Sequence, residues 1–127
     1  MAFGILGIGK AETVSSDVAF SFKATIENNR VIIECLIKEG YYLYPAQFQF
    51  KIDGKNLEPD KHSFIGAKEH EDQFYGRVMI LRDYAKISLT APDFLFGSFD
   101  LTVVAQGCSD SGFCFLPFSR IFSLFIM

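Results

Sequence analysis

Two cysteines near the C-terminal end of the chain are the residues best suited to chemistry. Five residues separate Cys108 from Cys114, and both flanking stretches, residues 99–105 and 115–125, are mostly apolar. A strand, a Ser-Asp-Ser-Gly turn and a second strand predict a β-hairpin, in which Gly112 supplies a positive φ angle. The two cysteines would then face each other across the mouth of this hairpin.

The geometry of such a pair favours exchange chemistry over a purely structural cross-link. Directly opposed residues in antiparallel strands have Cβ atoms roughly 4.5–5.5 Å apart, whereas a relaxed disulfide needs about 3.8 Å. We therefore expect a somewhat strained bond between Cys108 and Cys114, which is easier to reduce. Closing so short a loop would stabilise the fold by only about 2 kcal/mol. An accessible bond that stabilises little suits thiol–disulfide exchange.

Two other roles stay open for the cysteine pair on spacing alone. A structural hairpin disulfide in a secreted domain would have the same spacing. A zinc or copper site would need His62 and His70 as further ligands, and five intervening residues is not a common zinc spacing. The third cysteine, Cys35, lies in an apolar strand pattern, so we expect it to be a buried thiol.

The composition predicts one β-rich domain with a substantial core. The chain has 127 residues, including 15 phenylalanines and 5 tyrosines but no tryptophan. Aromatic residues of this kind favour strands. The net charge of −3 and the absence of a basic run argue against nucleic-acid binding. No apolar run reaches the ~18 residues that a membrane span requires.

Short strand patterns separated by turn signals run along the chain. Residues 18–26 alternate apolar and polar side chains, residues 55–69 form a polar connection, and Arg82-Asp83 is a turn signal. The patterns predict seven to nine short strands and no long helix, which indicates an all-β, immunoglobulin-like antiparallel β-sandwich. We assign residues 1–16 to an N-terminal tail or peripheral strand and residues 17–127 to the sandwich.

Two further segments have both an ordinary and a functional interpretation. Residues 70–76 are acidic with two aromatic residues, which is typical of a solvated loop, but an apolar ring such as Phe74 could instead cover a disulfide. Acidic side chains in this loop would raise the pKa of a nearby cysteine. Residues 41–44 contain three tyrosines that suit core or edge packing, although a tyrosine hydroxyl could also hydrogen-bond a thiolate.

Three stretches taken together resemble the N-terminal domain of thiol:disulfide interchange proteins of the DsbD family. They are Lys38–Tyr44, His70–Gly76 and Gln106–Cys114. Their order and separation also match, so the resemblance covers most of residues 15–120. It implies an immunoglobulin-like fold with an active-site hairpin and a cap loop. It also implies a protein-disulfide reductase activity that needs neither a cofactor nor a metal.

The resemblance also assigns roles to residues by position. Cys108 and Cys114 would be the catalytic redox pair, and Cys114 would form the mixed disulfide with partners. Tyr42 and Tyr44 would line the site. The implied cap loop, with Phe74 over the sulfurs, consists of Asp72, Gln73, Phe74, Tyr75 and Gly76. Two departures from the family pattern are Gln73, which stands in place of an acidic residue, and Phe115-Leu116-Pro117, which replaces an aromatic-Pro-Pro run.

The resemblance further implies a place in a periplasmic relay. Reducing equivalents would arrive through a membrane electron-transfer protein and the thioredoxin-like C-terminal domain of DsbD. The domain would then pass them to periplasmic disulfide isomerases and to a thioredoxin-like protein of cytochrome c maturation. Contact with a membrane would occur only through a transmembrane domain outside this sequence, and we expect a monomer. The alternative is an immunoglobulin-like binding or structural module with an inert hairpin disulfide.

Overall fold

Ten β-strands make up most of the described residues, 14–57, 62–92 and 95–127, in the computed structural model. The strands are β1 Phe20–Glu27, β2 Arg30–Ile37, β3 Tyr41–Leu43, β4 Gln49–Ile52, β5 Lys55–Asn56, β6 His62–Asp72, β7 Gly76–Thr90, β8 Gly97–Ala105, β9 Gly107–Ser109 and β10 Phe118–Ile126. A four-residue helix, α1 (Ser16–Ala19), precedes β1, and a 3₁₀ turn spans Pro45–Gln47. No helix among the described residues is long and apolar enough to cross a membrane.

The strands form two antiparallel sheets. One sheet has the order β1-β2-β7-β3-β9, with β6 also paired to β7, and the other has the order β10-β8-β4-β5. The main core contains side chains from both sheets, such as Ile33 and Ile87 from the first and Leu101 and Val103 from the second. The structure thus confirms the predicted all-β, immunoglobulin-like antiparallel sandwich.

Local sequence explains the burial pattern of β8 and the turn of the β1–β2 hairpin. In β8 the side chains of Phe99, Leu101 and Val103 are buried while Asp100 is exposed, which is the period-two alternation of a strand with one covered face. The β1–β2 hairpin turns at Asn28-Asn29, where both residues adopt the positive φ angles that asparagine tolerates. The strand that we predicted from residue 18 begins instead at Phe20, because Ser16–Ala19 form a helical turn.

Two sequence predictions for the middle of the chain are wrong. Most of residues 55–69 are not a connection, because β5 and the long strand β6 lie there. Arg82-Asp83 does not end a strand either, since β7 continues through it. Asp83 has a φ of 62° within β7, and Gly66 has a φ of 105° on the opposite strand, β6. The turn signal therefore corresponds to an irregularity in the β6–β7 pairing and not to the end of a strand. The strand count, ten among the described residues, exceeds the predicted seven to nine.

The β6–β7 hairpin is the element that reaches the cysteines. In the half of this hairpin that is farther from its turn, residues 62–65 of β6 pair with β7. The same part of β7 also pairs with β2 on its other side. Beyond the irregularity, β7 instead pairs with β3 at Leu81, and β3 in turn pairs with β9, which carries Cys108. Of the predicted tail, residues 1–13 lie outside the described residues, so the division at residue 16 stays a prediction.

Candidate functional site

A disulfide joins Cys108 and Cys114 at the base of a short loop. Their Cα atoms lie 3.9 Å apart, and the two residues form an isolated antiparallel bridge. The loop is closed on either side of this bridge by backbone hydrogen bonds, from Ser109 N–H to Phe113 O (2.6 Å) and from Phe115 N–H to Gly107 O (2.9 Å). The prediction that the two cysteines face each other across a hairpin is confirmed.

The two sulfurs have different surroundings. Cys108 is fully buried in β9, whereas Cys114, beyond the turn, is only partly buried. The backbone of β9 lies so close to β3 that a Cβ atom on Gly107 would collide with the carbonyl oxygen of Tyr42 and the ring of Phe20. Only glycine fits at this position, and the close approach brings Cys108 directly opposite Tyr42.

Both tyrosines that we predicted to line the site lie beside Cys108. The hydroxyl oxygen of Tyr44 is 3.1 Å from Cys108 Sγ. The hydroxyls of Tyr42 and Tyr44 donate to one oxygen of Asp72, Oδ2, at 2.5 and 2.6 Å. Tyr42, Tyr44, Ile80 and Cys108 form a buried cluster separate from the main core, against which Cys114 packs. The cap-loop carboxylate is therefore linked to a sulfur through one hydroxyl.

The second oxygen of Asp72 holds the connection between β6 and β7, which is the predicted cap loop. Asp72 Oδ1 accepts hydrogen bonds from the backbone N–H groups of Phe74 (2.6 Å) and Tyr75 (2.9 Å). This arrangement is an Asx turn, in which a side-chain oxygen fixes the backbone that follows it. A single buried carboxylate thus accepts four hydrogen bonds and ties the cap loop to the tyrosine pair.

The pKa values of these three groups follow from burial and hydrogen bonding. Burial acts to raise the pKa of Asp72, but the four hydrogen bonds to its ionised form outweigh it and hold the pKa below the ordinary value. Burial, together with the hydrogen bond to this carboxylate, raises the pKa of Tyr42 to about 12. The same causes raise the pKa of Tyr44 still further. At neutral pH the cluster therefore holds one carboxylate and two neutral phenols.

This network has a chemical consequence for Cys108. The Tyr44 hydroxyl carries one hydrogen, which it donates to Asp72, so its oxygen lone pairs face the sulfur. A Cys108 thiol can donate to that oxygen, whereas a thiolate would face lone pairs and a nearby carboxylate. The Tyr44 hydroxyl therefore offers the sulfur of Cys108 a hydrogen-bond acceptor and not a donor.

The cap loop contacts the turn between the cysteines through Gln73. The Gln73 amide nitrogen lies 2.8 Å from the position that a Cβ atom on Gly112 would occupy, and Gly112 has a φ of 99°. A pocket of about 200 Å³ lies between this loop and the cysteine hairpin, and its lining includes Glu71 and Asp110. Phe74, at the tip of the loop, is 46% exposed. The predicted position of its ring over the sulfurs stays a prediction.

An arginine that the sequence did not single out joins the site. Arg82 forms a forked ion pair with Asp110, the residue at the start of the turn between the cysteines, with N–O distances of 2.7 and 3.1 Å. Its guanidinium carbon also lies 5.1 Å from the centre of the Tyr42 ring. No local signal reveals this contact, because 28 positions separate the two charged residues in the chain.

The remaining candidate residues lie elsewhere or pack conventionally. His70 packs against the Tyr42 ring, with 5.1 Å between ring centres, while His62 packs against Phe50 at 5.0 Å. Over the described ranges, no group of three or more His, Cys, Asp or Glu side chains could hold a metal ion. Cys35 is a free, fully buried thiol, as predicted, and burial raises its pKa to about 12.

Apolar side chains are exposed on both loops of the site. On the cysteine hairpin, Phe113 is 40% exposed and Leu116 is 86% exposed. On the cap loop, Phe74 and Tyr75 are about equally exposed. We call these four side chains the apolar rim, because they lie on the two loops that the Gln73–Gly112 contact joins.

Comparisons with known proteins agree with this geometry. The family model for the N-terminal domain of the thiol:disulfide interchange protein DsbD matches residues 10–126. A DsbD from Klebsiella pneumoniae is 34% identical over 116 residues, which are 91% of this chain and 19% of the relative. The Escherichia coli K12 protein is 34% identical over 109 residues, 86% of this chain and again 19% of the relative. The chain thus spans about a fifth of the length of these curated relatives.

Solved structures show the same fold. The reduced N-terminal domain of Neisseria meningitidis DsbD superposes with a TM-score of 0.80 and 26% identity, covering 88% of this chain and 89% of that one. A second structure describes a complex between the DsbD and PilB N-terminal domains of the same organism. It matches with a TM-score of 0.72 and 23% identity, covering 89% of this chain and 88% of that one.

Proposed function

The chain belongs to the family of DsbD N-terminal domains, and from this premise we propose that it is a thiol:disulfide exchange domain whose reactive pair is Cys108 and Cys114. The observation that carries the proposal is the disulfide itself. One of its sulfurs is partly buried on a surface hairpin and the other contacts a buried polar network. The activity is that of a protein-disulfide reductase.

In the proposed reaction, the reduced pair attacks a disulfide in a partner protein. The Cys114 thiolate bonds to one partner sulfur, and the partner's own sulfur–sulfur bond breaks to release a partner thiolate. Cys108 then loses its proton and attacks the Cys114 sulfur. The mixed disulfide breaks, the Cys108–Cys114 bond forms, and the partner leaves with two thiols. Two electrons pass to the partner, so no cofactor takes part.

The different surroundings of the two cysteines support this division of roles. Cys114 is partly accessible and packs at the edge of the buried cluster, so its sulfur can meet an incoming disulfide. Cys108 is enclosed, and Tyr44 and Asp72 favour its protonated form. A protonated Cys108 does not compete for the partner, and it becomes nucleophilic only when its proton can leave. The network therefore sets the order in which the two sulfurs react.

The apolar rim supports docking of a protein partner. Phe74, Tyr75, Phe113 and Leu116 leave aromatic and aliphatic surface exposed on the cysteine hairpin and on the predicted cap loop. We propose that the partners are thioredoxin-like proteins, as the family resemblance implies. These are the C-terminal domain of a DsbD, periplasmic disulfide isomerases and a thioredoxin-like protein of cytochrome c maturation. The solved complex of a DsbD N-terminal domain with another protein domain supports docking of this general kind.

The proposed setting is the periplasm, where the domain would be part of an inner-membrane protein. Support comes from the relatives, which are DsbD proteins about five times as long as this chain. The cap loop, Asp72–Gly76, would move aside when a partner docks, with Phe74 as its cover. Family membership disfavours the alternative, an immunoglobulin-like binding module with an inert disulfide.

Trapping of a mixed disulfide tests the proposal. A thioredoxin-like protein with one active-site cysteine, activated by a thionitrobenzoate group, would be mixed with reduced Cys108→Ser or Cys114→Ser variants. We expect Cys108→Ser to form a stable mixed disulfide that separates on a non-reducing gel. Cys114→Ser should form little. If neither variant forms an adduct, or if both do so equally, the proposed roles are wrong.

A further inference from the structure

The two halves of the cysteine hairpin are held by different kinds of contact. On the Cys108 side, the backbone N–H of Asp110 donates to Gly40 O at 2.8 Å, and the Asp110 carboxylate is gripped by both terminal nitrogens of Arg82. On the Cys114 side, Leu116 is 86% exposed. This side is held by apolar packing and by hydrogen bonds within the hairpin, because Phe115 is buried in the main core against the rings of Phe20 and Tyr41. The Gln106 side chain also donates to Phe115 O at 3.3 Å.

The ion pair on the Cys108 side comes from a central strand of the first sheet. Arg82 lies in β7 directly after Leu81, which pairs with both β6 and β3. The guanidinium also lies over the ring of Tyr42, whose hydroxyl donates to Asp72. A forked pair of hydrogen bonds fixes orientation as well as distance, unlike a contact through one nitrogen. Arg82 therefore connects the turn between the cysteines to the tyrosine cluster.

From this asymmetry we propose that Arg82 is a positioning residue for the second step of exchange, the attack of Cys108 on the mixed disulfide. The inference rests on the proposed exchange function. Once Cys114 is bonded to a partner, the disulfide no longer holds the loop closed. The ion pair between Arg82 and Asp110 then keeps the Cys108 side of the loop in place. Cys108 stays within reach of the Cys114 sulfur, and the step remains effectively intramolecular.

The first step does not need this positioning. In that step Cys114 attacks a sulfur of the partner, so the position of Cys108 does not enter it. Loss of the ion pair should therefore slow release of the partner and leave formation of the mixed disulfide nearly unchanged. A variant that merely weakened the whole fold would not separate the two steps in this way.

A small aromatic disulfide, dithiobis(nitrobenzoate), reports the two steps separately. Attack by the Cys114 thiolate releases one coloured thionitrobenzoate and leaves a second on Cys114. Attack by Cys108 on the Cys114 sulfur breaks that bond, forms the Cys108–Cys114 disulfide and releases the second thionitrobenzoate. The proton of Cys108 passes to the solvent. Stopped-flow absorbance of the fully reduced chain then gives both rates.

Three variants test the inference. We expect Arg82→Gln and Asp110→Asn each to slow the second release by about tenfold, because the thiol loses its fixed position, with the first release changed by less than about twofold. Arg77→Gln is the matched control. It removes another arginine of β7, whose ion pair with Glu69 is a single exposed contact of 3.4 Å. This control should leave both phases unchanged.

Each other outcome overturns the inference. If Arg82→Gln slows the second release but Asp110→Asn does not, the effect comes from an uncompensated carboxylate and not from position. If neither variant slows it, or if Arg77→Gln slows it equally, Arg82 has no special role. If the Arg82→Gln variant does not fold, the Asp110→Asn variant, whose substitution lies in a half-exposed turn, still tests the inference. Failure of Cys108→Ser to trap a partner would instead reject the proposed function.

Discussion

Cys35 and Cys108 are both fully buried cysteines in β-strands, yet their surroundings differ completely. Cys35 in β2 has Phe22 and Ala85 as its neighbours on the adjacent strands, and burial alone raises its pKa to about 12. Cys108 in β9 is bonded to a second sulfur near the surface and contacts the hydroxyl of Tyr44. The first lies in the core of the sandwich, and the second lies in the separate buried cluster with Tyr42, Tyr44 and Ile80.

Burial by itself raises the pKa of the Cys35 thiol and so disfavours its nucleophilic thiolate form. The site around Cys108 adds three features that the core around Cys35 lacks. One is a partner sulfur at the surface, another is a hydroxyl that can accept the thiol proton in a hydrogen bond, and the third is a carboxylate that fixes this hydroxyl. The following predictions test this difference.

The largest expected effect separates the two environments directly. Cys114→Ser should abolish transfer of reducing equivalents to a thioredoxin-like disulfide, because the attacking sulfur is gone. Cys35→Ala should leave transfer nearly unchanged and lower the free energy of unfolding by about 1 kcal/mol, because it leaves only a small cavity. The transfer is measured as the appearance of free thiols on the partner, or as the turbidity that forms when the disulfides of insulin are reduced. Loss of transfer in Cys35→Ala, with the fold intact, would contradict the comparison.

Replacement of Asp72 by asparagine should have the next largest effect. Two hydroxyls and two N–H groups converge on its two oxygens, so an amide would necessarily turn its NH₂ group toward one of these pairs of donors. We expect Asp72→Asn to lower the free energy of unfolding by about 3 kcal/mol. As a control, Asp53→Asn affects an exposed carboxylate whose hydrogen bond comes from one N–H group, that of Asp100. Equal losses in urea unfolding would argue against a special role for Asp72.

The lowered pKa of Asp72 also predicts how stability depends on pH. A carboxyl whose pKa is lower in the folded state stabilises the fold fully above its unfolded value of about 4. That contribution is lost as the pH falls through the folded pKa. Urea unfolding at a series of acidic pH values should therefore show a smaller decline for Asp72→Asn than for the unmodified chain. Parallel curves would mean that Asp72 titrates normally in the fold.

The smallest expected effect concerns Phe74, the proposed cover over the disulfide. Phe74→Ala should speed reduction of the Cys108–Cys114 bond by a small thiol roughly threefold, because access to the sulfurs improves. Phe96→Ala is a suitable control, since Phe96 is an exposed phenylalanine on a different loop. The rate of reduction by dithiothreitol measures the effect. An unchanged rate would show that Phe74 does not shield the sulfurs.

Local sequence patterns predicted the parts of the molecule that depend on near neighbours. The hairpin around Cys108 and Cys114 follows from a glycine-containing turn between apolar strands, and Gly112 has the positive φ that the turn requires. The sandwich follows from repeated alternation, as in β8. The buried state of Cys35 follows from its apolar strand. Each of these features is encoded within about ten residues.

The features that local patterns missed depend on distant parts of the chain. The irregular pairing near Gly66 and Asp83 lets β7 pass through a turn signal, because neighbouring strands hold it on both sides. The ion pair of Arg82 with Asp110 joins residues that only the completed sandwich brings together. The family resemblance implied that Asp72 belongs to a cap loop, but its four hydrogen bonds emerge only from the folded structure.

The reduction potential of the Cys108–Cys114 pair tests the central claim most directly. Equilibration of the Cys35→Ala variant with defined ratios of reduced and oxidised dithiothreitol, followed by thiol alkylation and mass measurement, gives this potential. A pair that exchanges with partner proteins should have a potential above about −300 mV. A potential below about −300 mV would identify an inert structural cross-link and contradict the account.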